Sequence, residues 1–166
     1  MNTVHTLQEY VVALRDAGIL TGCTAPDELL QRRVECLTYD TRSLHENALF
    51  ICKGAHFKED YLRDALSHGA FAYVAEQQHD VDAPCILVSD IRYSLVVLGQ
   101  LFFDRVTDKL TSIGITGTKG KSTTAYYVRY ILNDWLRAQD RNECAILSSI
   151  DNYDGKVSEE SHITTP

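Results

Sequence analysis

The stretch GITGTKGKSTT, Gly114 to Thr124, constrains this chain more than any other. The residues before it, KLTSIGIT (Lys109 to Thr116), are rich in aliphatic and β-branched types and predict a short buried strand of an α/β sheet. After it, STTAYYVRYILNDWL places Ala125, Val128, Ile131, Leu132 and Trp135 at helical spacing. Strand, Gly-rich turn and helix together form the setting of a phosphate-binding loop. Gly117 and Gly120 permit a tight turn that aims backbone N–H groups inward, and the helix start adds partial positive charge. In that setting Lys121 reaches the β and γ phosphates of a nucleotide and the Ser122 hydroxyl ligates Mg²⁺. The generic motif asks for a glycine where this chain has Ile115, so the pattern is the shorter Gly-Thr-x-Gly-Lys-Ser. The plainer alternative, a Gly-rich turn with an exposed lysine, is disfavoured by the flanking elements.

The rest of the chain reads as a separate small α/β unit. VHTLQEYVVALRDAGIL predicts a first helix: Thr6 and Glu9 make a capping box, Leu7, Tyr10, Val11 and Leu14 form its apolar face, and Gly18 ends it. Strands are expected at Val34 to Asp40 and Ala48 to Lys53, joined by the polar TRSLHEN. A helix follows over Glu59 to Ser67 with Tyr61, Leu62, Ala65 and Leu66 inward, stopped by Gly69. FAYVAE and CILVSD predict further strands, and Asp90 caps a helix with Leu95, Leu98 and Phe102 on its inner face. Alternation of strands and helices up to about Val106 predicts an α/β fold. The expected division is a first domain over 1–108 and the beginning of a phosphate-loop nucleotide-binding α/β domain over 109–166. In the second, ECAILSS (Glu143 to Ser149) predicts one more buried strand, and DNYDGKVSEES a hairpin with Asp154-Gly155 at its tip.

Composition narrows the function. A net charge of −7 argues against a duplex nucleic-acid binder. No apolar run approaches the ~18 residues of a membrane span, and no basic-then-apolar leader opens the chain, so membrane insertion is not expected. The five cysteines form no C-x-x-C pair, which indicates neither a zinc site nor a disulfide framework and fits a reducing cytoplasm. The histidines are scattered without metal-ligand spacing. Tyr126, Tyr127 and Tyr130 fall on the helix after the loop, where packing is favoured over base stacking.

Two ordered blocks and the chain end resemble the Mur ligase family, which adds amino acids to the UDP-linked peptidoglycan precursor with ATP. GTKGKSTT is similar to the family's Gly-Thr-x-Gly-Lys-Thr/Ser loop, which matches Gly117, Thr118, Lys119, Gly120, Lys121, Ser122 and Thr123 to the ATP site. Asp40-Thr41-Arg42, Leu49-Phe50, Gly54 and Gly69-Ala70 resemble the N-terminal substrate domain of the MurE and MurF branches. HITTP resembles the Thr-Thr-Pro of MurE. The resemblance implies that Thr41 stands where a serine commonly contacts the UDP-sugar, and that Thr164 and Thr165 touch the substrate. Threonine keeps the hydroxyl at position 41 and adds a methyl. Lys119 replaces the commoner asparagine, and Lys58-Glu59 stand where an Asp-Gly is usual.

What the resemblance implies for function is a cytoplasmic ligase using ATP and Mg²⁺. It would join an amino acid, lysine or diaminopimelate, to UDP-N-acetylmuramoyl-L-alanyl-D-glutamate by an acyl-phosphate route, with Lys121 catalytic. The family's acidic metal ligand, modified lysine and late histidine lie beyond the region matched, so the chain is expected to be an N-terminal portion, inactive alone. Three alternatives stay open. A MurF-type ligase is disfavoured by Thr118. A folylpolyglutamate synthase relative would carry an extra glycine after the loop lysine. A non-catalytic module binding UDP-sugar peptides is disfavoured by the intact loop. Asp40 and Arg42 also have a local reading, as partners of each other.

Overall fold

The computed structural model describes residues 4–54 and 57–161. It divides into two compact units, Met1–Thr111 and Ser112–Pro166.

The first unit is built on α1 (Leu7–Asp16), β1 (Leu20–Cys23), a short α2 (Asp27–Leu30), β2 (Cys36–Thr38), β3 (Ala48–Ile51), α3 (Glu59–Ser67), β4 (Ala70–Ala75), β5 (Cys85–Val88) and α4 (Ile91–Phe102). The strands form one sheet in the order β1-β5-β4-β3-β2. The pairs β2–β3, β3–β4 and β4–β5 are parallel, and β1 closes the β5 edge antiparallel.

Local signals open α1 and α4 as the sequence predicts, whereas the short α2 is not foreseen by it and has no side-chain cap. Thr6 and Glu9 cap α1 reciprocally, with Glu9 accepting from the Thr6 N–H at 2.7 Å. Asp90 accepts from the Arg92 and Tyr93 N–H groups, both at 2.9 Å, and so opens α4.

Alternation along the central strands then sorts the core onto two faces. Leu49 and Ile51 of β3 and Ala72 and Val74 of β4 pack with Leu7, Tyr10 and Leu14 of α1 and Leu98 of α4. On the other face Ala48, Phe50, Tyr73 and Ala75 pack with Leu62 and Ala65 of α3. Every residue of β3 and β4 is buried, as helices on both faces of a parallel sheet require.

Three expectations for this unit need correction. Tyr61 is 47% exposed rather than inward, stacked edge-on to Phe57. The strand expected over Val34 to Asp40 contracts to Cys36–Thr38, because Asp40 turns away to cap a 3-10 turn at Thr41–Ser43. The second strand likewise ends at Ile51.

The stretch expected to open the second domain, and the second unit itself, depart further from expectation. Residues 109–116 do not form the predicted strand: Val106–Lys109 make a 3-10 turn, and residues 111–116 join no ladder among the described residues. Leu110 and Ile113 are exposed. A parallel strand is held by neighbouring strands, and none of the described strands pairs with these residues.

The helix that follows, α5 (Lys121–Arg137), is present at the predicted place. Its predicted apolar face is only partly covered, since Ile131 and Trp135 are exposed together with Tyr127 and Tyr130. ECAILSS provides only the two-residue β6 (Ile146–Leu147), with Ile146 buried and Leu147 out. It is the edge of an antiparallel sheet, β6-β7-β8, with β7 (Asp151–Tyr153) and β8 (Ser158–Glu160). The hairpin tip falls at Asp154-Gly155 as predicted, with the Asp154 carboxylate accepting from the Lys156 and Val157 N–H groups.

Gly69 carries the tightest backbone constraint in the first unit. It sits at φ 112°, and an added Cβ would lie 3.0 Å from both the His45 carbonyl oxygen and the Glu46 Cα. Gly69→Ala is therefore expected to lower unfolding free energy by about 1–3 kcal/mol. Urea denaturation of the two proteins followed by circular dichroism measures this, and an unchanged midpoint would refute it.

Candidate functional site

The Gly-rich loop opens directly into α5. Gly120, at φ 75°, is the residue before the first helical turn, a left-handed conformation that glycine adopts without strain. No side chain caps this helix start and no acidic residue lies in its first turn. The first-turn N–H groups of a 17-residue helix thus stay available to an anion, with the helix dipole behind them.

Lys121 Nζ donates to the Gly117 carbonyl at 2.9 Å, which holds the ammonium against the loop's own backbone. Thr118, Lys119, Lys121 and Thr123 are exposed, while Ser122 is half-buried. These features fit a polyphosphate: uncapped amides, two lysines and no carboxylate in the first turn of the helix. The fit is one of donor chemistry and backbone shape.

Among the described residues, Ser122 is the member of the loop whose side chain has a partner outside it. Its Oγ lies 3.3 Å from the Ser149 Oγ, in the turn after β6. That turn is itself tied to α5, because the Tyr126 hydroxyl donates to Asp151.

Further along the same face, Arg129 stacks over the Tyr153 ring at 4.3 Å and donates to the Cys144 carbonyl at 3.2 Å. Asn133 accepts from the Cys144 N–H at 2.7 Å, and Arg137 donates to Glu143 at 2.7 Å. The Arg137 hydrogen bond holds the Glu143 carboxyl below its ordinary value. Positions 122, 126, 129, 133 and 137 recur at helical spacing, so α5 grips the 143–153 segment through one polar seam. Sequence analysis did not single out Ser149; the recurrence of polar residues along α5 was the signal that a partner segment existed.

In the first unit, Thr41 lies in the 3-10 turn beyond the carboxyl end of β2. It is half-buried, and its hydroxyl has no hydrogen-bond partner among the described residues. Asp40 and Arg42 engage each other: Arg42 donates from Nε at 2.9 Å and Nη2 at 2.7 Å, and its backbone N–H bonds Asp40 at 3.0 Å. Beneath them Thr38 and Ser43 hydroxyls meet at 2.8 Å. The local pairing that sequence left open is thus the one adopted, and it fixes the turn that displays Thr41.

Lys53, just past the carboxyl end of the adjacent parallel strand β3, sits over the Tyr39 ring at 4.8 Å. Strand ends at the carboxyl edge of a parallel sheet are where α/β folds bind ligands. Thr164 and Thr165 lie outside the described residues. Among the described residues no group of three or more His, Cys, Asp or Glu side chains is placed to hold a metal ion, and no helix is long and apolar enough to cross a membrane.

Comparison with known proteins adds the following. The chain is 42% identical over 145 residues to the UDP-N-acetylmuramoyl-L-alanyl-D-glutamate--L-lysine ligase of Enterococcus faecalis, covering 86% of this chain and 28% of that protein. It is 35% identical over 166 residues to the UDP-N-acetylmuramyl-tripeptide synthetase of Lactobacillus delbrueckii subsp. bulgaricus, covering 97% of this chain and 31% of that one. Among solved structures, MurF from Acinetobacter baumannii aligns with a TM-score of 0.61 at 23% identity, over 80% of this chain and 28% of that one. That likeness concerns the fold. The chain spans under a third of the length of these relatives. No family model matches it.

The Arg42 side-chain hydrogen bond, followed by its backbone N–H, lowers the Asp40 carboxyl to about 2. A carboxyl depressed in the folded state keeps its pairing above the ordinary value of about 3.9 and loses it as pH falls toward 2. Arg42→Ala is expected to return the Asp40 titration toward the ordinary value. Carbon-detected NMR of the side-chain carboxyl reads this directly, and a titration still near 2 in the variant would refute the assignment.

Proposed function

This chain belongs to the Mur ligase family, whose N-terminal portion it matches, and we propose that it serves an ATP-dependent, amide-forming ligase. In this reading the ligase adds L-lysine to UDP-N-acetylmuramoyl-L-alanyl-D-glutamate during peptidoglycan precursor synthesis. The chain by itself contributes the two places described above and is not the whole catalyst. The choice of lysine over diaminopimelate is supported by relatives named as L-lysine ligases at 35–42% identity. All five cysteines are free thiols, which supports a cytoplasmic setting.

The observation that carries the proposal is the loop Gly117–Thr123 opening into an uncapped helix with no acidic first-turn residue. Its amides and Lys121 would hold the phosphates of ATP, and the Ser122 hydroxyl would ligate Mg²⁺. The bound nucleotide supplies the phosphoryl group that converts an unreactive carboxylate into an acyl donor for the incoming amine. The contribution of these residues is placement and charge neutralisation: the loop backbone fixes the phosphate chain and the Lys121 ammonium offsets its negative charge. In the first unit, the turn held by Asp40 and Arg42 presents the Thr41 hydroxyl to the UDP-sugar. Thr164 and Thr165 are assigned to the same substrate on resemblance alone.

Two measurements test this. In the full-length ligase, Lys121→Ala is expected to lower the rate of tripeptide formation by at least about 100-fold while circular dichroism of the first unit stays unchanged. Near-normal turnover would overturn the nucleotide assignment. Thr41→Val is expected to weaken UDP-muramoyl dipeptide binding about 2- to 12-fold, the range of one hydrogen bond. Calorimetry showing equal affinity would remove Thr41 from the substrate site.

A further inference from the structure

A serine hydroxyl that ligates a cation has to turn a lone pair toward the ion and send its single proton elsewhere. Free rotation would leave that orientation undefined, and an acceptor behind the hydroxyl defines it. Outer partners of this kind orient metal ligands in general.

The geometry around Ser122 places a second hydroxyl, able to accept or to donate, behind it. Ser149 Oγ is 3.3 Å from Ser122 Oγ. This exceeds the ~2.8 Å of a relaxed hydroxyl pair, a spacing that can shorten when a cation polarises the Ser122 O–H.

The position of Ser149 is not left to a loose loop. The neighbouring Ser148 Oγ accepts from the Ile150 and Asp151 N–H groups, both at 3.1 Å, and donates to the Asp151 carbonyl at 2.9 Å. The Ser148 N–H also reaches that carbonyl at 3.1 Å. Asp151 is in turn bonded by Tyr126, which stands one helical turn after Ser122. The turn carrying Ser149 is therefore closed on itself and fastened to the same helix that carries Ser122. Ser149 makes no other hydrogen bond among the described residues, so its lone pairs are available to the Ser122 proton.

We propose that Ser149 is a positioning residue for the metal-binding hydroxyl of Ser122, accepting its proton so that the Ser122 lone pairs face the phosphate loop. This rests on the nucleotide reading given above. It assigns the turn after β6 a role in Mg²⁺ dependence rather than in holding the phosphates.

The test is calorimetric binding of ADP to the full-length ligase, with Mg²⁺ titrated and with EDTA, for the parent protein, Ser149→Ala, Ser149→Thr and Ser122→Ala. Ser149→Ala is expected to raise the Mg²⁺ concentration at half-maximal enhancement by about 10- to 100-fold and to leave metal-free ADP affinity unchanged. Ser149→Thr, which keeps the hydroxyl, is expected to retain the parent midpoint. Ser122→Ala is expected to remove the Mg²⁺ enhancement. An unchanged Mg²⁺ midpoint in Ser149→Ala overturns the proposal, as does equal weakening with and without metal, which marks a structural role. A parent protein that binds no ADP under either condition removes the nucleotide reading itself, a failure distinct from both.

Discussion

A parallel strand can be buried only when hydrogen bonds occupy both of its edges, and that requirement shapes both units of this chain. In the first unit it is met. Strands β3, β4 and β5 each have a neighbour on either side, β1 closes one end antiparallel and β2 forms the other. With the backbone satisfied, every side chain of β3 and β4 can be apolar and enclosed, and α1, α4 and α3 cover the two faces. In the second unit the requirement is not met for the residues before the Gly-rich loop. They find no ladder among the described residues, and Ile113 stays exposed.

What orders the second unit instead is polar. From Ser122 to Arg137, α5 holds the 143–153 segment by hydroxyl, carboxylate, amide and guanidinium contacts. The best-buried residue of the helix is accordingly Asn133, while Tyr127, Tyr130, Ile131 and Trp135 form an exposed stripe. Polar contacts are directional, so they fix the register of the 148–151 turn against the helix start more sharply than apolar packing would. The loop's helix and the turn beside it are thereby joined by polar contacts. The phosphate site proposed for this loop would need such an arrangement before any ligand arrives.

In the first unit the same logic operates at smaller scale. The strands β2 and β3 run side by side and release their chains at one edge, where Asp40 and Arg42 lock a 3-10 turn and Lys53 settles over Tyr39. The sheet supplies the rigidity and the turns supply the donors, the usual division of labour in α/β proteins.

Much of this was legible in the sequence because its causes are local. The Thr6–Glu9 box, the Asp90 cap, the Gly69 stop and the hairpin tip at Asp154 act within three or four residues, so spacing alone revealed them. The Gly-Thr-x-Gly-Lys-Ser loop was legible for the same reason, since a tight turn and a helix start are properties of the backbone next door. Whether Lys109 to Thr116 forms a strand was not legible, because a strand exists only with partners and partners are remote in the chain. Nor did periodicity reveal which side of α5 would be covered: Ile131 and Trp135 share helical spacing with Val128 and Leu132, and only the contact with residues 143–153 separates them. Local sequence therefore set α1, α3, α4 and α5, most of their ends and the Gly-rich turn before α5. Tertiary structure alone decided the sheet order, the exposed stripe and the meeting of Ser122 with Ser149, since each depends on residues brought together from distant parts of the chain.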